Sequence, residues 1–294
     1  MTTISGVITA MVTPFDADGA LDLGAARRLA RHLVENGSHG LVVAGTTGEA
    51  PTLSDEEKLR LLEAVLDEVG DGATIICGTG SNDTRHSVHL TREACRVGAH
   101  AILVVTPYYN KPNRAGLRAH FSTVAEAAGE TPMALYNIPS RTVINLPPEF
   151  MAELAREIDN VVAVKQANDD ELGPIEGLDV LAGNDGIFLR CLEVGGTGGI
   201  LVSSHLVGPE MRALYDAATT GDRVRAQEIH DSLIPIYEAT VVTANPIPVK
   251  TGLEMLGVIE ANMRLPMVPA SEDERAAVRT ALEQHGLLVA GGAG

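Results

Sequence analysis

The chain contains the run Val161-Val162-Ala163-Val164-Lys165, in which four apolar residues end in a lysine. A short run rich in β-branched residues is typical of a strand buried on both faces, as in a parallel sheet. Burial disfavours the charged form of a lysine, and a neutral amine attacks carbonyl carbons to form Schiff bases. The run therefore predicts a buried strand that ends in a lysine suited to imine chemistry on a keto or aldehyde substrate. The alternative is a lysine that only ends the strand and extends to water.

Similar β-rich runs alternate with longer helical patterns up to about residue 218, which is typical of parallel strands joined by crossover helices. Eight strands are predicted, at residues 6–13, 40–44, 74–78, 101–106, 133–137, 161–165, 180–182 and 199–202. Seven helices are predicted with them, at residues 22–36, 54–69, 83–97, 114–128, 147–156, 185–193 and 206–219. No Gly-x-Gly-x-x-Gly motif follows the first strand, so a closed (β/α)8 TIM barrel fits this order better than a doubly wound sheet.

Two parts of the chain depart from this regular repeat. Glycines and a proline interrupt residues 166–177, between strands six and seven, so a helix of at most one or two turns is expected there. Beyond the barrel, a C-terminal three-helix appendage is predicted from patterns at residues 222–240, 246–256 and 271–284. We therefore divide the chain into a catalytic barrel (1–220), a helical domain (221–289) and a disordered tail (290–294).

Composition and charge argue against several classes of protein. With 45% hydrophobic and 21% charged residues the chain is not disordered, and no apolar stretch approaches the roughly 20 residues that span a bilayer. A net charge of −17 argues against nucleic-acid and anionic-membrane partners, which basic surfaces capture. The widely spaced Cys77, Cys95 and Cys191 indicate reduced packing residues. No secretion signal is visible, so a cytoplasmic protein is expected.

Polar residues follow several predicted strands at one end of the barrel. The active site of a TIM barrel lies at the C-terminal ends of its strands. The residues placed there are Thr46, Thr47, Tyr108, Tyr109, Tyr136, Arg141 and Lys165. A tyrosine hydroxyl relayed through a threonine can carry the proton transfers of imine formation. Backbone amides of the turn at residues 45–48 can bind one carboxylate, and the fork of an arginine suits a second.

Side-chain parity predicts space below these polar groups. Residues two apart on a strand share a face. An alanine lies two positions before three of the candidates: Ala44 before Thr46, Ala134 before Tyr136 and Ala163 before Lys165. If these candidates point into the barrel, the small side chains beneath them leave room for the polar groups to converge.

Six segments of the chain resemble, in order, the motifs of the dihydrodipicolinate synthases, which belong with the N-acetylneuraminate lyases to one superfamily of class I aldolases. The segments are residues 45–49 (GTTGE), 78–82 (GTGSN), 105–112 (VTPYYNKP), 135–142 (LYNIPSRT), 164–165 (VK) and 245–250 (NPIPVK). The resemblance covers nearly the whole chain. It implies a homotetramer, built as a dimer of tight dimers, that condenses pyruvate with L-aspartate 4-semialdehyde in the diaminopimelate route of lysine biosynthesis. No cofactor and no metal ion are expected.

The resemblance also assigns roles by motif position. Lys165 corresponds to the Schiff-base lysine and Tyr136 to its proton donor and acceptor. Thr46 and Tyr109 complete the proton relay, with Tyr109 reaching in from the neighbouring subunit. The other substrate contacts are expected from Thr47, Gly45 and Ile200 to pyruvate and from Arg141 to the carboxylate of the semialdehyde.

Five residues correspond to the site at which lysine-inhibited members of the family bind the end product: Asn82, Tyr108, His86, Asp55 and Lys58. Asp55 and Lys58 stand where inhibited bacterial members carry histidines. His86 stands where they carry the glutamate that pairs with an ammonium group of lysine. Losing that anion while gaining the like charge of Lys58 predicts poor lysine binding and weak feedback, although Asp55 can supply a carboxylate from another direction.

Two departures from the family pattern lie just after Lys165. Gln166 replaces the usual acidic residue, and the segment to Gly183 is shorter than usual. Neither removes a reacting group.

Two alternative functions would retain part of this site. A sister lyase, such as an N-acetylneuraminate lyase or a 2-keto-3-deoxy sugar-acid aldolase, would keep Lys165 and Tyr136. The adjacent threonines, the tyrosine pair and Arg141 favour the synthase. A catalytically silent pyruvate-binding paralogue would be favoured by a missing relay residue, and the sequence contains them all.

Two other patterns are not interpreted as sites. Residues 195–199 (GGTGG) resemble a phosphate loop but precede strand eight, which assigns them to the opposite face of the barrel. His86 and His89 share a helix face, but no third ligand follows at a spacing typical of a metal site.

Overall fold

Eight parallel strands close into a barrel in the computed structural model of the protein, which describes residues 3–289. The strands are β1 (Gly6–Ala10), β2 (Gly40–Val43), β3 (Thr74–Gly78), β4 (Ala101–Val105), β5 (Met133–Asn137), β6 (Val161–Gln166), β7 (Asp179–Ala182) and β8 (Gly198–Leu201). They pair in chain order, and β8 pairs with β1 to complete the ring. The predicted TIM barrel is confirmed.

Helices cover the outside of the barrel and form the C-terminal appendage. They are α1 (Leu23–Glu35), α2 (Asp55–Val69), α3 (Thr84–Val97), α4 (Arg114–Ala128), α5 (Pro139–Thr142), α6 (Pro148–Glu157), α7 (Phe188–Glu193), α8 (Gly208–Thr220), α9 (Arg223–Ala239), α10 (Ile247–Met255) and α11 (Glu272–Gln284). Helix α2 begins with a capping box. The Glu57 N–H donates to Ser54 Oγ (3.2 Å), and the Ser54 N–H donates to Glu57 Oε2 (2.9 Å).

The short elements differ most from the prediction. Helix α5 was not predicted, because four residues are too few to show a helical period. The predicted helix at 185–193 begins with a separate 3₁₀ turn, Asp185–Ile187, which precedes α7. The helical structure between β6 and β7 is a single 3₁₀ turn, Asp169–Glu171, as the glycines and proline of that segment predict.

The appendage consists of α9, α10 and α11, of which α9 packs against α8 and α11 packs against both of the others. Its three helices match the predicted patterns, while the division into two domains stays a prediction. The predicted tail at residues 290–294 lies outside the described residues. Within residues 3–289, no helix combines the length and the apolar character needed to cross a membrane.

The barrel interior is filled by alternating side chains from the strands: Ile8, Val42, Ile76, Leu103, Ala134, Tyr136, Ala163, Leu181 and Ile200. Ala134 and Ala163 face inward, as parity predicts. The prediction for Ala44 is wrong. Strand β2 ends at Val43, and Ala44 has a φ of +52°, so the alternation stops and Ala44 packs with the outer core.

The segment at residues 195–199 leads into β8 from the face opposite the C-terminal strand ends. Its glycines allow close packing. A Cβ at Gly198 would clash with the backbone of Gly6 on the adjacent strand β1, so the pairing of β1 with β8 accounts for glycine at this position.

Candidate active site

The register of β5 and β6 brings Lys165 and Tyr136 together. The two residues are direct partners in the ladder, and so are Ala134 and Ala163 below them. Lys165 Nζ lies 4.5 Å from the centroid of the Tyr136 ring, and each residue is 5% exposed. Among residues 3–289, no acidic side chain forms a salt bridge with Lys165. A buried amine therefore lies beside a phenol at the C-terminal end of the barrel.

Asp185 is a further charged residue close to Lys165, and the sequence analysis did not identify it as a site residue. Its carboxylate accepts hydrogen bonds from the N–H groups of Val202 (3.1 Å) and Ser203 (2.8 Å) at the end of β8. Burial raises the pKa of Asp185, although these bonds and the charge of Lys165 act in the opposite direction. The available signal was its position, three residues after β7 at the catalytic end of the barrel.

A cavity of about 510 Å³ opens at the C-terminal ends of β2 to β5. Thr46, Gly45, Tyr136 and Arg141 line it, and its wall includes all five residues of the predicted lysine site, Asn82, Tyr108, His86, Asp55 and Lys58. Tyr136 both lines this cavity and contacts Lys165 Nζ through its ring. Arg141 is exposed and is carried by α5, which directly follows β5. Four of the predicted active-site residues and all five residues of the predicted lysine site thus line one cavity.

Four predicted residues do not line this cavity, and Lys165, which packs against the ring of Tyr136, is one of them. Thr47 and Ile200 are buried, at 2% and 0% exposure, with Ile200 inside the barrel. Tyr109 is 87% exposed and has a left-handed φ of +68° in the loop after β4. Its side chain is therefore open to solvent and does not line the cavity of its own chain.

Two residues of the appendage hold the turn at residues 45–49, and the sequence analysis assigned a role to neither. Asn245 Nδ2 donates to Thr47 Oγ1 (2.8 Å). Lys250 Nζ forms a buried ion pair with Glu49 Oε1 (2.5 Å), and burial lowers the pKa of Lys250 although Glu49 acts to raise it. The shared motif at residues 245–250 was the signal, but sequence spacing alone does not show which strand end it contacts.

Opposite charges compensate one another in the lysine-site part of the cavity. His86 Nε2 lies 2.8 Å from Asp55 Oδ1, and Lys58 Nζ lies 3.4 Å from the same oxygen. Burial acts to raise the pKa of Asp55, but the hydrogen bond with His86 and the charge of Lys58 outweigh it and hold the pKa below its ordinary value. The described residues include no cluster of three metal-ligating side chains.

Gln166 faces away from the reacting side of β6. Its Oε1 accepts hydrogen bonds from Asn137 Nδ2 (2.9 Å) and from the Asn168 N–H (3.1 Å). Its buried Nε2 has no hydrogen-bond partner in the described part of the chain. Because neighbouring residues of a strand point to opposite faces, this departure from the family pattern lies behind Lys165 rather than beside its amine.

Comparison with known proteins agrees with this geometry. The model of the dihydrodipicolinate synthetase family matches residues 3–285. The chain is 48% identical to the 4-hydroxy-tetrahydrodipicolinate synthase of Symbiobacterium thermophilum, over 98% of this chain and 100% of that protein. The dihydrodipicolinate synthase structure from Thermotoga maritima superposes with a TM-score of 0.94 at 38% identity, over 98% of this chain and 100% of the other. The lysine-bound dihydrodipicolinate synthase from Cyanidioschyzon merolae superposes with a TM-score of 0.93 at 38% identity, over 97% of this chain and 99% of the other. The chain therefore belongs to the dihydrodipicolinate synthetase family.

Proposed function

We infer that the chain is a 4-hydroxy-tetrahydrodipicolinate synthase, a lyase that condenses pyruvate with L-aspartate 4-semialdehyde in the diaminopimelate route of lysine biosynthesis. The observation that carries this function is the match to synthases over almost the full length of both chains. The buried Lys165 beside Tyr136 supports it chemically. The sister lyases are not favoured.

The proposed reaction begins at Lys165. Its neutral amine attacks C2 of pyruvate, and loss of water from the carbinolamine gives an imine. A proton lost from C3 of pyruvate then gives an enamine, which attacks the aldehyde carbon of the semialdehyde. Finally, the amino group of the semialdehyde displaces Lys165 from C2 and closes the six-membered ring.

We propose roles for the other residues from their motif positions. Tyr136 is the proposed proton donor and acceptor, and the contact of its ring with Lys165 Nζ supports this role. Thr46 joins the relay from the wall of the same cavity. Thr47, with Gly45 and Ile200, contacts pyruvate, and the exposed fork of Arg141 receives the carboxylate of the semialdehyde.

We also propose a homotetramer, built as a dimer of dimers, in the cytoplasm. The exposure of Tyr109 supports the assembly. The proposed relay needs a side chain that does not line the cavity of its own chain, and a neighbouring subunit is the partner that could use it.

Trapping with borohydride tests the proposed function. Pyruvate plus borohydride should modify Lys165 alone, and Lys165→Arg should abolish the adduct, because a guanidinium remains protonated. Peptide mapping by mass spectrometry identifies the labelled residue. An adduct on Lys58, Lys111 or Lys250 would contradict the assignment, and pyruvate release from N-acetylneuraminate would indicate a sister lyase.

A further inference from the structure

We propose that Asn245 and Lys250, at the start of the C-terminal appendage, are positioning residues that fix the turn at residues 45–49 for binding the carboxylate of pyruvate. The inference rests on the proposed function, in which Thr47 contacts that carboxylate. It extends the site to a part of the chain that contributes no reacting group.

Asn245 sets the hydrogen-bond direction of Thr47. Its Nδ2 donates to Thr47 Oγ1 at 2.8 Å. A hydroxyl has one hydrogen and two lone pairs, so the amide occupies a lone pair and leaves the hydrogen of Thr47 to donate elsewhere. An anionic acceptor is the ligand that such a donor favours. The contact therefore prepares Thr47 for a carboxylate before substrate arrives.

Lys250 holds the other end of the turn through Glu49. Lys250 is fully buried, and its Nζ also donates to the carbonyl oxygen of Asn262 (2.7 Å). The second carboxylate oxygen of Glu49 accepts a hydrogen bond from the Arg264 N–H (3.2 Å). Both oxygens of Glu49 are thus bound by the C-terminal part of the chain.

The backbone of the turn requires such support. Ala44, just before the turn, and Glu49, its last residue, have left-handed φ values of +52° and +54°. Side-chain-bearing residues keep this conformation only where the surrounding structure imposes it, and such strain concentrates at functional sites. Thr13 Oγ1 donates to the Gly48 carbonyl (2.6 Å) from the barrel side. The ion pair with Lys250 supplies the matching restraint from the appendage.

Substitution of Asn245 tests the first contact. Asn245→Ala should raise the KM for pyruvate about tenfold, the effect of one lost hydrogen bond, with the KM for the semialdehyde unchanged. Asn245→Asp should raise the pyruvate KM further, because the carboxylate accepts the Thr47 hydrogen and repels the substrate, and this excess should shrink as the pH falls. Arg275→Ala removes a half-buried ion pair with Glu254, in the same appendage but sharing no side chain with the contacts to the turn, and serves as the control.

The ion pair needs a paired change, because Lys250→Met alone leaves the Glu49 carboxylate buried without its cation. The double variant Glu49→Gln/Lys250→Met removes both charges and should fold, with a raised pyruvate KM. Folded Asn245 variants with a wild-type pyruvate KM overturn the proposal, even if the double variant is unstable. Failure of the proposed function differs from failure of this proposal, because in the first case the wild-type protein would form no borohydride-trapped adduct at Lys165.

Discussion

Arg141 and Lys165 represent opposite environments within one site. The lysine is 5% exposed inside the barrel, whereas the arginine is exposed on α5 at the cavity mouth. This separation suits two substrates that arrive in turn. In the proposed mechanism, pyruvate reaches the buried amine and the semialdehyde binds a charged group nearer to solvent.

We expect Arg141→Ala to leave the pyruvate adduct intact while damaging the second half-reaction. A charge-assisted contact to a carboxylate contributes roughly 1.5–3 kcal/mol, so kcat/KM for the semialdehyde should fall by about one to two orders of magnitude. Mass spectrometry of the trapped adduct measures the reaction with pyruvate, and steady-state kinetics measure the reaction with the semialdehyde. Arg156→Ala on α6, which breaks an exposed pair with Glu176, is the matched control. Equal losses in both half-reactions would contradict the proposed role of Arg141 in binding the semialdehyde.

The sequence predicts the placement of a site residue well when that residue lies on a regular strand. Lys165 and Tyr136 end apolar runs, and strand parity places them on one face. The importance of Asn245 depends instead on a contact with Thr47, 198 residues earlier, that no local pattern encodes. Parity also fails at Ala44, where a left-handed residue ends the strand.

Among the helices, the first turns of α2 and α3 meet at the predicted lysine site. Asp55 and Lys58 lie on α2 and His86 on α3, and their mutual contacts occupy the Asp55 carboxylate. An incoming ammonium group would have to compete with two groups that already bind this carboxylate. These contacts give a physical reason for the predicted weak binding, because they occupy the Asp55 carboxylate that would otherwise be free to bind lysine.

We expect lysine at about 1 mM to inhibit the initial rate only weakly at subsaturating pyruvate, because an effector acts only through its differential affinity for two states. His86→Glu restores an anion and should increase sensitivity to lysine. His89→Glu adds the same charge at an exposed position of α3 and should not. Half-inhibition of the wild type at well below 1 mM would show that the substituted residues still form an effective site.

Helices of several turns were predictable, whereas single turns were not. Helix α2 begins where Ser54 and Glu57 form a capping box, which is a local signal in the sequence. Helix α5 is only four residues long, yet it carries Arg141 to the cavity. The position of α5 is set by the loop after β5, and a helix this short has no periodic pattern of apolar residues from which it could be predicted.

For the molecule as a whole, buried neutral histidines should make stability depend on pH. Burial lowers the pKa of His120 and of His205 to about 4, from 6.5. His205 Nε2 accepts a hydrogen bond from the Val12 N–H (3.1 Å), which a protonated ring cannot do. Between these pKa values the unfolded chain binds protons that the folded chain does not, so stability falls as the pH falls.

We therefore expect the free energy of unfolding to decrease between about pH 6.5 and 4, by on the order of 3 kcal/mol for each of the two histidines. Urea unfolding at several pH values measures it. The pKa of Glu57 is lowered to about 2, from 4.5, by its hydrogen bond to Arg264. The contribution of Glu57 to stability is therefore lost only below about pH 4.5, largely outside the range in which the histidines act. His205→Gln should flatten the profile, and His89→Gln should not. A profile unchanged in His205→Gln would assign the pH dependence to other groups.

The ladder between β1 and β8 pairs Gly6 with Gly198 and Thr9 with Leu201. On the ribosome, β1 emerges early and must wait for β8 to leave the exit tunnel. Until then β1 and the most recently emerged strand expose unpaired backbone groups, which can pair with other chains. Contacts between distant residues also form slowly. The closure that leaves the eight described strands without a free edge therefore makes the nascent chain most prone to aggregation just before its last strand arrives.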